Sequence, residues 1–279
     1  MLRSVLVFTD DKLRIIGKGL QMGFRVDEKR IVHLEPNTNE FGDTRIEKNP
    51  TSTQTHCAQY PLIVHSLILR RAGKRTNKAI GDNCPLIYAL KGRDGLSVTY
   101  SSVKPMIRLF NNLLNKFTRQ IVAKNTQYDV LIPMPSNHKL SMWLANRLSR
   151  LIQVQVFQDA FHKITTAEVE ELLLLDRFNH HSIPHVARSN IINAVKKARD
   201  DDKPFSISNV KTLHRKYLTP VVLRSTQISN TARILLVDDL FASGRTLVAA
   251  KNEIMKHHPE TKIEALCLFC PINGRAPKP

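Results

Sequence analysis

Acidic residues are scarce in this chain: 24 Asp and Glu stand against 42 Lys and Arg over 279 residues, a formal net charge of +18. The excess is spread along the chain and not gathered in a tail, so it describes a basic folded surface. Its natural partners are polyanions, with nucleic acid first and phosphorylated small molecules second. Cysteine is also sparse, four in all, which fits a reducing compartment and not a disulfide framework. No apolar run approaches the about 20 residues of a membrane span. The apolar part of Met1–Phe8 is too short for a signal peptide. A cytoplasmic protein without membrane contact is therefore expected. Internal repeats and low-complexity segments are missing too. Apolar residues make up 42% of the chain, enough for one good-sized core, or a core domain and a smaller one.

Metal-ligand patterns are weak. Cys267 and Cys270 have suitable spacing, but they lie in an apolar run that reads as a buried strand, and no second pair stands near. His180, His181 and His185 lack a carboxylate or thiol to complete a set.

The most informative stretch is Ile234-Leu-Leu-Val-Asp-Asp-Leu-Phe-Ala-Ser-Gly-Arg-Thr246. Ile234 to Val237 suit a buried parallel strand. The strand ends on Asp238 and Asp239, a turn with Ser243, Gly244 and Thr246 follows, and a helix is expected after it. Strand, acid pair, turn and helix are how an α/β sheet presents a site at the carboxyl ends of its strands. Gly244 lets backbone approach a ligand, and the free N–H groups of the turn favour phosphate. The acid pair suits sugar hydroxyls, or a divalent ion held through oxygen. Together these describe a sugar phosphate. A phosphate-binding P-loop would need Gly-x-x-x-x-Gly-Lys-Ser/Thr, which is absent. A receiver domain would need far more chain after Asp239 than the sequence has. An ordinary strand–turn–helix without ligand is the remaining alternative.

At Val237–Thr246 the chain resembles the type I phosphoribosyltransferase family, whose signature is an apolar strand, two acids, four residues and Gly-x-Thr. Its Gly244-Arg245-Thr246 ending is most similar to the uracil phosphoribosyltransferase and pyrimidine-operon attenuator branch. Ala242 departs from the hydroxyl residue many members carry. The resemblance implies binding of phosphoribosyl pyrophosphate (PRPP). Asp238 and Asp239 would be catalytic and face Mg2+, and Ala242, Ser243, Gly244, Arg245 and Thr246 would hold the 5′-phosphate. Tyr128–Pro135, a strand ending in Pro-x-Pro, resembles the corresponding loop of ComF-type competence proteins. This assigns Ser136, Asn137, His138 and Lys139 to pyrophosphate. Lys163, ahead of a helix capped by Thr165 or Thr166 and running to about Phe178, would be the cationic contact of a lid.

The implied fold is α/β: a mostly parallel sheet flanked by helices over residues 85–279, with a small α+β segment of unknown role at 1–84. The implied activity is pentosyl transfer from PRPP to a nitrogenous base with release of pyrophosphate. The alternative is a nucleic-acid-associated regulator or effector on the same fold, of the kind used in competence, RNA attenuation or retron-type phage defence.

The remaining expectations are local. Val5–Phe8 and Ile31–His33 suggest strands, and residues 36–56 a long loop. Pro61–Leu69 reads as a buried helix or strand. It runs into Arg70, Arg71, Lys74, Arg75 and Lys78, the densest basic cluster, which is either a solvated face or a contact to single-stranded DNA or RNA. Leu86–Lys91 reads as a strand. Ser101 or Ser102 is expected to cap a helix with Pro105 in its first turn. Residues 204–230 read as a polar connection carrying Lys211, His214, Arg215 and Lys216. Nothing in the pattern excludes an oligomer.

Overall fold

The computed structural model describes residues 22–36, 38, 41–55, 61–70, 80–178, 182–224 and 228–271. Val5–Phe8 lies outside them. The chain opens with an antiparallel pair, β1 (Met22–Val26) and β2 (Val32–Pro36). Short β3 (Gly42–Asp43), then β4 (Thr51–Thr55) and β5 (Leu62–Arg70) follow. Thus part of the expected 36–56 loop is strand. Its Thr51-Ser-Thr-Gln-Thr55 segment alternates β-branched residues with polar ones, as a half-exposed edge strand does.

Helix α1 (Pro85–Leu90) occupies the place where a strand was expected. A run of five apolar residues fits a buried helix or a strand equally. Pro85 at the first helical position supplies the pre-set backbone angle that favours helix. Helix α2 (Tyr100–Ala123) is capped by Thr99, ahead of the expected Ser101 or Ser102. Ser102 instead completes a reciprocal capping box, and Pro105 lies inside the helix. The apolar stripe expected along α2 is buried at Met106, Phe110, Leu113, Leu114, Phe117 and Ile121.

Next come β6 (Val130–Pro133), α3 (Leu140–Ile152), β7 (Gln155–Val156) and β8 (Phe161–Lys163). Helices α4 (Thr166–Phe178) and α5 (His185–Asp200) lead to β9 (Val221–Leu223) through two short 3-10 turns. The Thr165 hydroxyl accepts the Glu168 N–H at 3.2 Å, and Glu168 accepts the Thr165 N–H at 2.7 Å. The expected cap of α4 is therefore Thr165. The chain closes with β10 (Arg233–Leu240), α6 (Arg245–His257) and β11 (Lys262–Pro271).

The central sheet runs β3-β5-β11-β10-β6-β7, with β4 also paired to β5. β5, β11, β10, β6 and β7 are mutually parallel along this path, and β3 and β4 run antiparallel to β5. This is an α/β architecture with a mixed, mostly parallel sheet flanked by helices. The sheet draws on chain from both sides of residue 84. One core packs α1, α2 and α3 on one face, around Phe117, Leu235 and Leu266. A second packs α6 on the other, around Ile234, Leu236 and Ala265. A third, separate core forms where α4 and α5 meet the segment before β9. β8 and β9 pair antiparallel, and their Phe161 and Val221 join the second core, so the segment inserted between β7 and β10 carries the third core but is anchored on the α6 side of the sheet.

Candidate functional site

The site builds outward from β10. Ile234 to Val237 are fully buried and central in the sheet, and Asp238 and Asp239 lie within the last three residues of the strand, which ends at Leu240. Asp238 Oδ1 accepts the Asp239 N–H at 2.8 Å and the Ser141 hydroxyl at 3.3 Å. Burial, and then the Asp239 charge beside it, push the Asp238 carboxyl up to about 7. Asp239 is buried and faces Lys91 Nζ at 2.5 Å. Lys91 caps the carboxyl end of α1. Its role was not legible in the sequence, where it only closes an apolar run.

Two helix N-termini flank the acids. Gly244 is the residue before α6, in the left-handed region at φ 72°, and no side chain caps the helix. Ala242 and Ser243 are exposed, and Arg245 and Thr246 are half-buried. Arg245 Nη1 is buried without a hydrogen-bond partner. The reason for glycine differs in part from the expected one. A Cβ at Gly244 would lie 2.7 Å from the Phe241 ring, so the backbone angle and Phe241 both demand glycine there. Lys139 precedes α3, again with no side-chain cap. Both helix ends offer free N–H groups and a positive dipole end to an anion.

The loop after β6 and the end of β8 supply the rest. Ser136 accepts the His138 N–H at 3.3 Å, and Lys163 Nζ donates to Asn137 Oδ1 at 3.1 Å. Burial lowers the pKa of both His138 and Lys163, and the charges of Lys91 and Arg93 lower them further. Asp239 acts on both in the opposite sense. Lys91, Arg93, Asn137, His138 and Lys163 therefore cluster near the acid pair, with Lys91 on Asp239 and Lys163 on Asn137 as the direct contacts. Sequence reasoning missed Lys91 and Arg93, which tertiary structure alone brings here.

Among the described residues, no group of three or more His, Cys, Asp or Glu could hold a metal ion. Two carboxylates, one already ion-paired, still fit a magnesium ion, which is commonly held by one or two carboxylates together with substrate phosphates and water.

The basic cluster is placed differently. Arg70 is 7% exposed and donates Nη1 to Asp82 O at 3.2 Å. Its guanidinium therefore faces the interior and not a surface phosphate. Arg71, Lys74, Arg75 and Lys78 lie outside the described residues, as do His180 and His181. Cys84, Cys267 and Cys270 are buried free thiols, and burial pushes Cys84 up to about 12. No described helix is long and apolar enough to cross a membrane. The chain matches no family model and no curated protein sequence.

Proposed function

We propose that this cluster binds PRPP and that the protein transfers its phosphoribosyl group to a nitrogenous base. The observation that carries this reading is the Asp238–Asp239 pair at the end of the central strand, between the two uncapped helices α3 and α6. The α6 end, Ala242 to Thr246, suits a 5′-phosphate, and the α3 end with Ser136 to Lys139 suits pyrophosphate. Lys91, Arg93 and Lys163 add the charge a diphosphate requires. Between them, the acids would accept hydrogen bonds from the ribose hydroxyls and favour positive charge developing on the sugar ring. Magnesium, when bound with substrate, would neutralise the departing pyrophosphate.

Substrate entry exchanges partners within the site. Lys91 leaves Asp239 for a phosphate oxygen, and Asp239 receives a ribose hydroxyl. The inserted segment over 161–223 begins with β8, whose Lys163 reaches Asn137, and it is suited to cover the site, excluding water from a reactive sugar cation. Calorimetric titration with PRPP and Mg2+ tests the reading. Binding by the wild type and its loss in folded Asp238→Asn/Asp239→Asn would support it, and equal affinity in both would overturn it.

The +18 charge favours a second reading, nucleic-acid association on the same fold. The two are compatible, and titration with single-stranded DNA and RNA separates them.

A further inference from the structure

A second polar constellation stands apart from the acid pair, on the α2 face of the sheet toward the start of β10. Ser52 of the edge strand β4 lies directly opposite His65 of β5 in the antiparallel register. Ser52 Oγ is 2.8 Å from His65 Nδ1, and His65 Nε2 is 2.7 Å from Glu264 Oε2 of β11. Glu264 also accepts the Tyr128 hydroxyl at 2.7 Å and Arg233 Nη2 at 3.2 Å. Ser52, His65, Tyr128 and Glu264 all line one cavity of about 260 Å³.

The chemistry of the donors fixes the direction of this relay. An ionised carboxylate only accepts hydrogen bonds, and the bond from His65 outweighs burial in holding Glu264 down at about 2. In the neutral imidazole whose Nε2–H donates to that carboxylate, the Nδ1 lone pair is aimed at the Ser52 hydroxyl. His65 is 7% exposed, and its ring packs 5.2 Å from that of Phe117, so it cannot swing away. Ser52 is exposed. A hydroxyl within reach of a base, with the base held by a third group, is the arrangement that activates a nucleophile. All three stand on strands, which hold geometry better than loops.

We infer that Ser52, His65 and Glu264 form a nucleophilic site that cleaves esters of small carboxylic acids. The cavity wall of Ile63, Phe117 and Ile121 suits a short apolar acyl group, and Gln120 and Lys124 can meet negative charge on the carbonyl oxygen. Ser52 Oγ bonds to the ester carbonyl carbon as its proton passes to His65 Nδ1. The carbon–oxygen bond to the alcohol breaks, and that alcohol takes the proton from Nδ1. Water then adds to the acyl-serine, giving its proton to Nδ1. The carboxylic acid leaves as the proton returns to Ser52 Oγ. Glu264 stays ionised throughout and holds the ring.

Treatment of the full chain with a fluorophosphonate reagent tests this by intact-protein and peptide mass spectrometry. One adduct on Ser52 is expected, together with a burst of nitrophenol from p-nitrophenyl acetate. Both should vanish in Ser52→Ala, whose melting temperature should match the wild type because the side chain is exposed on an edge strand. In folded His65→Gln the labelling rate should fall about 100-fold or more. Absence of labelling in the wild type, labelling that persists in Ser52→Ala, or an unchanged rate in His65→Gln would each overturn the inference. The same reagent applied to Asp238→Asn should label normally, so the outcome is independent of the PRPP reading.

Discussion

The same sheet carries two buried polar clusters with opposite electrostatics. At the Asp238–Asp239 site, two like charges share one strand end, one cation answers them, and two helix N-termini lie uncapped. At Glu264, one carboxylate receives three donors, from His65, Tyr128 and Arg233. One carboxyl is pushed up to about 7 and the other held down at about 2. The first cluster has polar capacity to spare, as the proposed ligand site requires. The second is complete in itself, so it can only stabilise the fold or deliver its own chemistry.

That contrast gives the largest expected effect. Glu264→Ala leaves the buried His65 and Tyr128 donors and the half-buried Arg233 unanswered and should cost about 3 kcal/mol, read from urea denaturation at pH 7. The wild type should show the matching pH dependence. Glu264 is depressed below its unfolded value near 4.5. Its contribution is therefore complete above about pH 4.5 and fades as the pH falls toward 2. An Ala variant as stable as the wild type would mean that Glu264 does not organise this end of the sheet.

Next in size is Gly244. A side chain there meets both an unfavourable φ of 72° and the Phe241 ring, so Gly244→Val should lose about 2 kcal/mol of stability as well as PRPP binding. Adding Phe241→Ala relieves the contact and not the angle, and should return only part of the loss. Full recovery would show that φ contributes nothing.

At the acid pair the sign reverses. Asp238 has a folded pKa near 7 against 3.8 unfolded. The wild type therefore loses stability as the pH rises from about 4 to 7, where the folded state holds the extra proton. Asp238→Asn keeps an oxygen for Ser141 and the Asp239 N–H but removes the charge. It should match the wild type near pH 4 and exceed it above pH 7 by on the order of 1 kcal/mol, the full shift being discounted because the group is only half-buried. Melting curves across this range check it, and a gain that does not grow with pH would contradict it.

The two clusters also differ in how far the sequence disclosed them. Strand, acids, turn and α6 are contiguous, so the residue pattern from Ile234 to Thr246 carries their local structure, and β10 and α6 form where expected. The mostly parallel sheet between helices followed from such units. Lys91 and Arg93 reach the acids only through tertiary packing and left no local signal. The His65–Glu264 contact joins residues 199 apart, beyond any pattern in one sequence. Leu86–Lys91 misled because a short apolar run fits both helix and strand. Residues 36–56 hid β4 because its threonines also suit loops.

The smallest expected effect concerns the surface that neither cluster explains. Charge-driven binding to single-stranded nucleic acid should weaken as salt rises, with a log–log slope of roughly −0.7 per phosphate contact. Arg70 is excluded from the variant because its guanidinium is buried against Asp82 O. Replacing Arg71, Lys74, Arg75 and Lys78 with Gln should flatten the slope while leaving PRPP binding unchanged. Fluorescence anisotropy over a salt series measures both slopes. An unchanged slope would move the contact to the turn before β9. There Arg215 already donates to Val210 O and Ser208 O, and Lys216 lies 5.1 Å from the Tyr217 ring. Arg215 and Lys216 would have to give up or share those contacts, which leaves the exposed Lys211 as the readiest phosphate partner. Lys211→Gln alone should then lower the slope by about one contact's share. No binding at low salt would remove the nucleic-acid reading.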